Sequence, residues 1–104
     1  MNYARNVHFQ IKNGKEKEFT TLFENEILPM LRKQKGFKEE LTLVNKDKDS
    51  AVGISLWADR ASAEAYQTST YPTILEKLNP VIVGTPRVET YEVFAGATTL
   101  RVAA

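Results

Sequence analysis

The stretch SLWADRASAEAY, residues 55–66, decides the fold of this chain. An apolar strand ends at Trp57, and a short alanine-rich helix follows it directly. Asp59 or Ser62 is expected to cap this helix, because a side-chain oxygen there can accept a bond from a free backbone N–H of the first turn. Pro72 fits a first helical position, where its missing N–H is tolerated, and so predicts a new helical segment. The stretch thus places a large aromatic ring beside a helix that can wall a pocket.

The beginning of the chain shows an alternating pattern that predicts a half-buried strand over residues 3–11. One face of this strand is apolar (Val7, Phe9, Ile11) and the other is polar (Asn6, His8, Gln10). Asn13 and Gly14 end the strand, and Asn13 with Glu16 is expected to form a capping box. A helix should therefore follow after a short turn.

This helix is predicted by apolar side chains that recur at helical spacing. They are Phe19, Leu22, Phe23, Ile27 and Leu31. Pro29 lies inside the helix and removes one backbone hydrogen bond at a cost of about 3 kcal/mol, which predicts a kink near residues 25–28. Gly36 is expected to end the helix in the left-handed conformation.

Two strands joined by a turn are predicted for the middle of the chain. Residues 37–44 and 51–57 read as strands, and the polar residues 45–50 between them are typical of a hairpin turn. The side chains expected to face the core are Phe37, Leu41, Leu43, Val52, Ile54 and Leu56. Residues 88–94 form the last predicted strand, after the helical segment that starts at Pro72.

The predicted order β-α-β-β-α-β is that of a ferredoxin-like α+β fold with one antiparallel sheet. Right-handed crossovers place both helices on one face of the sheet and leave the other face open. The open face is expected to carry Asn6, His8, Gln10, Thr42, Ser55 and Trp57. Because a bare sheet face on a small domain usually meets a partner, we predict a homodimer packed sheet to sheet, a dimeric α/β barrel. Residues 1–95 form the predicted domain, and the tail at residues 96–104 is expected to reach the partner subunit.

The composition excludes several classes of function. The chain has 104 residues, a formal net charge of +1, no cysteine and one histidine. Without cysteine there is no disulfide, thiolate nucleophile or zinc ribbon, and no metal site is predicted. The small net charge without a basic stripe argues against binding nucleic acid. Neither a membrane-spanning run nor a secretion signal is found, so no membrane association and a cytoplasmic location are expected.

The chain resembles the antibiotic biosynthesis monooxygenase-like family of dimeric α/β barrel proteins over nearly its whole length. Three features carry the resemblance besides Trp57: Lys12-Asn13-Gly14 after the first strand, Lys35-Gly36-Phe37 at the first helix end, and Glu64-Ala65 on the capped helix. The resemblance implies a small homodimer. Several members oxidise quinol-like or polyketide aromatics with oxygen and without a bound metal or flavin, so no cofactor is expected here.

The chain also departs from the family pattern. Many members carry a histidine on the helix after the strand-end tryptophan and a second one about a turn later, where this chain has Tyr66 and Tyr71. The haem-degrading branch has an asparagine, a tryptophan and a histidine where this chain has Asn6, Tyr66 and Glu76. Without the axial histidine, haem degradation is not expected.

The candidate site residues follow from their chemistry and from the resemblance. Tyr66, His8 and Asn6 are the candidate catalytic residues, and Trp57, Tyr71, Ile27 and Met30 are the candidate substrate-binding residues. A phenol such as Tyr66 can donate a proton or hold an oxyanion, and a histidine has an unperturbed pKa of about 6.5. The alternatives are structural: Trp57 anchors the dimer or a helix, Tyr66 only buries its ring, and His8 is a plain strand residue.

The resemblance and these residues lead to one functional hypothesis with two alternatives. The hypothesis is a cofactor-independent monooxygenase-like enzyme that acts on a small aromatic or quinol-type metabolite. The first alternative is a non-catalytic dimeric barrel that binds a small apolar metabolite or acts in a stress response. The second is a dimer in which the cavity has closed.

Overall fold

The computed structural model describes residues 2–96. The strands are β1 (Tyr3–Gln10), β2 (Phe37–Asn45), β3 (Ser50–Trp57) and β4 (Arg87–Glu92). The helices are α1 (Glu16–Leu22), α2 (Leu28–Arg32), α3 (Arg60–Ser69) and α4 (Tyr71–Leu78), with a π-helical turn at Phe23–Ile27 between α1 and α2. Short 3-10 turns lie at Lys46–Lys48 and Asn79–Val81. The predicted tail from residue 97 onward lies outside the described residues.

The four strands form one antiparallel sheet in the order β2-β3-β1-β4. The helices pack on one face of this sheet, and the predicted ferredoxin-like α+β fold is confirmed. On β1 the buried face carries Tyr3, Arg5, Val7 and Phe9. The core therefore lies between this face and the helices, as the apolar half of the β1 pattern predicts.

The predicted facing of β3 was wrong. Trp57 pairs with Tyr3 of β1, and both side chains are buried under the helices. Ala51, Gly53 and Ser55 share this face, whereas Val52, Ile54 and Leu56 lie on the open face. Because both faces of β3 carry apolar side chains, hydropathy alone did not show which face of this strand points toward the helices. An error of one residue then moved every side chain to the opposite face.

The facing of β2 also differs from the prediction, and a β-bulge is the reason. The register shifts between Phe37 and Glu39, so the side chains beyond the bulge change faces relative to Phe37. Leu41 and Leu43 consequently lie on the open face. Glu40, Thr42 and Val44 lie opposite Ser55, Gly53 and Ala51 on the face toward the helices. The bulge is what places the carboxyl group of Glu40 in the interior.

At the place of the predicted kink, the first helix forms a π-helical turn. The backbone N–H of Leu28 donates to the carbonyl oxygen of Phe23, five residues earlier, instead of four. Pro29 follows directly and has no N–H to give. On the buried side, the rings of Phe19 and Phe23 lie 5.5 Å apart and both pack against Phe9.

The predicted cap of α3 is confirmed, but the predicted ends of the first helix are not. Asp59 caps α3 by accepting a 2.8 Å bond from the backbone N–H of Ser62. The first helical segment ends at Arg32, and Gly36, with φ +81°, lies in the turn before β2. The predicted Asn13–Glu16 capping box is not formed: α1 begins after Lys15, which makes no side-chain cap bond. Strand β4 is also shorter than predicted, ending at Glu92.

Candidate active site

A cavity lies between the helices and the inner face of the sheet. Its lining consists of Arg5, Val7 and Phe9 from β1, Glu40 from β2, Gly53 and Ser55 from β3, Phe23, Ile27 and Leu31 from the first helical layer, and Tyr66, Tyr71 and Ile74 from α3 and α4. The space open to the centre of a water-sized sphere is about 20 Å³. This is room for roughly one water molecule, so a larger ligand requires the walls to move apart.

Arg5 is the positive charge of the cavity. Its side chain is only 2% exposed, and its Nη2 donates to Oε1 of Gln67 on α3. The guanidinium carbon lies 5.0 Å from the ring centre of Tyr66 and 4.5 Å from that of Tyr71. Both distances are within the range of cation–π attraction. The two rings therefore hold the guanidinium group at the cavity wall.

Trp57 lies behind this group rather than in the cavity lining. The indole is fully buried, and its ring centre is 4.8 Å from that of Tyr66 and 5.6 Å from that of Phe37. Its Nε1 donates a 2.9 Å hydrogen bond to Oγ of Ser55, which satisfies the one polar atom of the ring. Trp57 thus supports Tyr66 from behind and fixes the position of its ring.

Glu40 is the acidic group of the cavity. Burial raises the pKa of its carboxyl group to about 8, although a bond from Thr42 and the positive charge of Arg5 both act to lower it. The hydroxyl of Thr42 donates to Oε2 of Glu40 at 2.9 Å. Gly53 lies on the neighbouring strand β3, and a Cβ atom there would be 3.0 Å from Oε2 of Glu40. The absence of a side chain at residue 53 makes room for this carboxyl group.

The two tyrosines of the cavity are neutral donors. Burial raises the pKa of both phenols above the usual value, and the nearby Arg5 charge opposes this only in part. The hydroxyl of Tyr71 is buried and has no hydrogen-bond partner among residues 2–96. Because buried polar atoms are normally paired, this hydroxyl is available to a molecule in the cavity.

The predicted site residues divide into two groups. Tyr66, Tyr71 and Ile27 line the cavity. Met30 packs against the core and does not appear in the lining.

Asn6 and His8 lie on the open face of β1, opposite Glu89 and Arg87 of β4. His8 Nε2 is 3.1 Å from a carboxylate oxygen of Glu89. The sheet separates these two side chains from the cavity of their own chain.

Sequence reasoning missed Arg5 and Glu40. An arginine on a strand is most simply a surface residue, but Arg5 is only 2% exposed. Its position gave a signal, because it alternates with Tyr3, Val7 and Phe9 on the buried face of β1. Glu40 gave no comparable signal, since its facing depends on the bulge between Phe37 and Glu39.

Two kinds of feature are absent from the described residues. Within residues 2–96, no three side chains of the types His, Cys, Asp and Glu are grouped so that they could hold a metal ion. In the same part of the chain, no helix has the length and apolar character needed to cross a membrane. The cytoplasmic location expected from the sequence stays a prediction.

The fold and site can be compared with known proteins. The family model described as antibiotic biosynthesis monooxygenase matches residues 2–72. No curated protein sequence matches the chain.

Three solved structures illustrate the structural similarity. NE2512, a protein of unknown function from Nitrosomonas europaea, is 19% identical with a TM-score of 0.78, and the alignment covers 96% of each chain. SnoaB, a cofactor-independent oxygenase from Streptomyces nogalater, is 20% identical with a TM-score of 0.75, covering 96% of this chain and 98% of that one. A monooxygenase from the ActVA-Orf6 gene of Streptomyces coelicolor, in complex with nanaomycin D, is 13% identical with a TM-score of 0.77, covering 95% and 93%. At these identities the similarity shows a shared fold.

Proposed function

Because the chain belongs to the antibiotic biosynthesis monooxygenase family, we propose that it is a cofactor-independent monooxygenase for a small, electron-rich aromatic such as a quinol or an anthrone. The observation that carries the proposal is the cavity in which a carboxyl group, a guanidinium group and two phenols meet apolar walls. The similar fold of SnoaB, a cofactor-independent oxygenase, supports it.

Glu40 is the proposed general base. A base works best when its pKa is near the working pH, and burial raises the pKa of Glu40 to about 8. In an anthrone-type substrate the carboxylate would take a proton from the ring CH₂ group. The resulting carbanion passes an electron to dioxygen, and the two radicals combine to give a peroxide anion. The proton held by Glu40 then returns to this anion to give a hydroperoxide. Loss of water then leaves a carbonyl group, so that R₂CH₂ + O₂ gives R₂CO + H₂O.

Arg5, Tyr66 and Tyr71 would stabilise the negative charge that forms on the substrate and on oxygen. A fixed positive charge and neutral hydroxyl donors in a water-poor site act strongly on a developing anion. Trp57 would serve by keeping the ring of Tyr66 in place, as the 4.8 Å stacking distance suggests. Ile27 would belong to the apolar wall that holds the substrate ring.

A homodimer through the open sheet face is part of the proposal. That face carries the apolar side chains of Leu41, Leu43, Val52, Ile54, Leu56 and Tyr91. Leu43 and Tyr91 are 53% and 49% exposed in the single chain, which is unusual for large apolar residues without a partner. In such a dimer Asn6 and His8 would lie at the interface.

The size of the cavity favours a second candidate function. With about 20 Å³ of open space, the closed form holds no aromatic ring. A dimeric barrel that binds a small metabolite without turnover, for example in a stress response, fits this observation. The two functions differ in whether oxygen is consumed.

Oxygen uptake tests the proposal. The purified protein would be given a panel of hydroquinones and anthrones, and the oxygen consumed would be followed with an electrode. Glu40→Gln is expected to lower kcat/KM at least about 100-fold, the lower end of the usual range for a general base. The control Glu76→Gln, which changes an exposed carboxylate on α4, should leave it unchanged. With these neutral substrates, kcat/KM of the wild type should rise with pH and level off above about pH 8, because Glu40 must ionise first. Absence of uptake over the whole panel would favour the binding function.

A further inference from the structure

Arg5 is a buried cation without a counter-ion. It is 2% exposed, and within residues 2–96 the only ion pairs join other residues. Its Nη2 donates to the neutral amide oxygen of Gln67, and hydrogen bonding from Arg5 also acts to lower the pKa of the Tyr66 and Tyr71 phenols, so all of its polar neighbours are uncharged. An uncompensated buried charge is destabilising, and the two tyrosine rings offset that cost only in part. The guanidinium group therefore favours an anion beside it.

Tyr71 supplies a second free donor to the same cavity. Its ring lies 4.5 Å from the guanidinium carbon, and its hydroxyl is buried without a partner among the described residues. Because burial keeps this phenol protonated, the hydroxyl can donate a hydrogen bond but carries no charge. Arg5 and Tyr71 thus present a cation and a neutral donor, which is the combination that a carboxylate or an enolate oxygen binds.

Glu40 is the acidic group that faces Arg5 across the cavity, and it does not act as the missing counter-ion at neutral pH. Its carboxyl group is protonated below about pH 8. The other titratable groups that face the cavity are Tyr66 from α3 and Tyr71 from α4, both neutral. The first helical layer contributes apolar side chains. At neutral pH the described lining therefore combines apolar walls and neutral polar groups with one positive charge, that of Arg5.

We infer that the cavity binds the anionic oxygen group of an acidic aromatic ligand through Arg5 and the hydroxyl of Tyr71. The inference rests on the proposed function in that it names the substrate class of the same site: a small, largely apolar molecule that carries a carboxylate or an acidic enol. The apolar walls contact its ring, and Gln67 gives up its bond to Arg5 when the ligand enters.

Binding of benzoate tests this inference, with benzamide as the neutral compound of the same shape. The chain has one tryptophan, which stacks on Tyr66 behind the cavity, so its indole N–H resonance in a ¹⁵N NMR spectrum reports on the site. Titrations at pH 6.5 and constant ionic strength give the two dissociation constants. Benzoate is expected to bind at least about tenfold more tightly than benzamide, as charge-assisted hydrogen bonds imply.

Three variants identify the residues responsible. Arg5→Gln should reduce the affinity for benzoate to that for benzamide, while the control Arg32→Gln, which removes an exposed charge at the end of α2, should keep the preference. Tyr71→Phe retains the ring and loses only the unpartnered hydroxyl, so it folds even if Arg5→Gln does not. It is expected to weaken benzoate binding about tenfold and benzamide binding little.

The pH dependence of benzoate binding is an independent test. Benzoate remains ionised from pH 6 to 9, whereas Glu40 gains a negative charge near pH 8 and repels it. Affinity for benzoate should therefore fall across this range in the wild type and remain constant in Glu40→Gln.

Equal affinity for benzoate and benzamide, or no response from the indole to either, overturns the inference and leaves Arg5 a structural residue. An unchanged preference in Tyr71→Phe excludes the hydroxyl as a donor and overturns that part. Benzoate is not oxidised, so these results are separate from oxygen uptake. Binding without uptake on any quinol contradicts the proposed function alone, and uptake without an anion preference contradicts this inference alone.

Discussion

The carboxyl group of Glu40 makes the stability of the protein depend on pH. In the folded chain its pKa is raised from 4.5 to about 8 by burial. Between these values the folded state binds a proton that the unfolded state has released. The free energy of unfolding must therefore fall as pH rises through this window, at up to about 1.4 kcal/mol per pH unit. Below pH 4.5 this stabilisation is fully present, and above about pH 8 it is lost.

The total effect has an upper bound of about 5 kcal/mol over the window. Because Glu40 is half-buried and water reaches it in part, we expect about 2–3 kcal/mol. Glu40→Gln keeps an oxygen for the hydroxyl of Thr42 and removes the titration. Between pH 5 and 8, the free energy of unfolding should therefore fall by about 2–3 kcal/mol less in Glu40→Gln than in the wild type.

Urea unfolding at several pH values and one chain concentration measures this difference. The two proteins differ only at residue 40, so subtracting the two curves isolates Glu40. Glu76→Gln is the control, since its carboxylate is exposed on α4, and its curve should run parallel to the wild type. Parallel curves for Glu40→Gln and the wild type would mean that the carboxyl group is solvated in the folded protein. The proposed base would then lose its physical basis.

Three further predictions concern the fold and the interface. Gly36→Ala should destabilise the protein by about 1 kcal/mol more than Gly14→Ala, as measured by calorimetry. Both glycines have φ +81°, but a Cβ atom at residue 36 would overlap Ser62, whereas one at residue 14 would contact nothing. Leu43→Asp should shift sedimentation from dimer to folded monomer, because Leu43 is 53% exposed in the single chain, and an unchanged dimer would exclude the open face as the interface. Trp57→Phe should cost about 2–4 kcal/mol in chemical unfolding, since it leaves a cavity in the core and unpairs Ser55; a cost below 1 kcal/mol would show that the indole is loosely packed.

The elements of this fold were predictable because their signals are local. Asp59, Gly36 and Pro29 each act through the backbone within one turn. The structure shows a helix cap at Asp59, a left-handed residue in the turn before β2 at Gly36, and an altered helical turn before Pro29. The alternation of β1 was equally informative, since only one of its faces is apolar. Local sequence signals were therefore sufficient to predict the order of strands and helices.

The facing of β2 and β3 was not predictable in this way. Ile54 and Leu56 are apolar, yet they lie on the open face, because the opposite face of β3 must hold Trp57. Such a sheet has two apolar faces, and periodicity alone cannot choose between them. The bulge at Phe37 then decides where Glu40 lies. The chemistry of the candidate site depends on this one-residue irregularity, which nothing in the local sequence marks.

The π-helical turn explains a spacing in the first helix that an ordinary helix would not tolerate. Phe19, Phe23, Ile27 and Leu31 are each four residues apart, and all four are buried. In a regular helix of 3.6 residues per turn, every such step rotates the side chain by about 40°, so the stripe would turn away from the core by about 120° over its length. The wider turn at Phe23–Ile27 accommodates one extra residue and so brings Leu31 back toward the core. Deleting one residue within that turn would place Leu31 eleven positions after Phe19, which a regular helix brings back to within about 20° of the same face. The shortened helix is therefore expected to keep Leu31 at the cavity wall without the π-helical turn, whereas a regular helix of the present length would not.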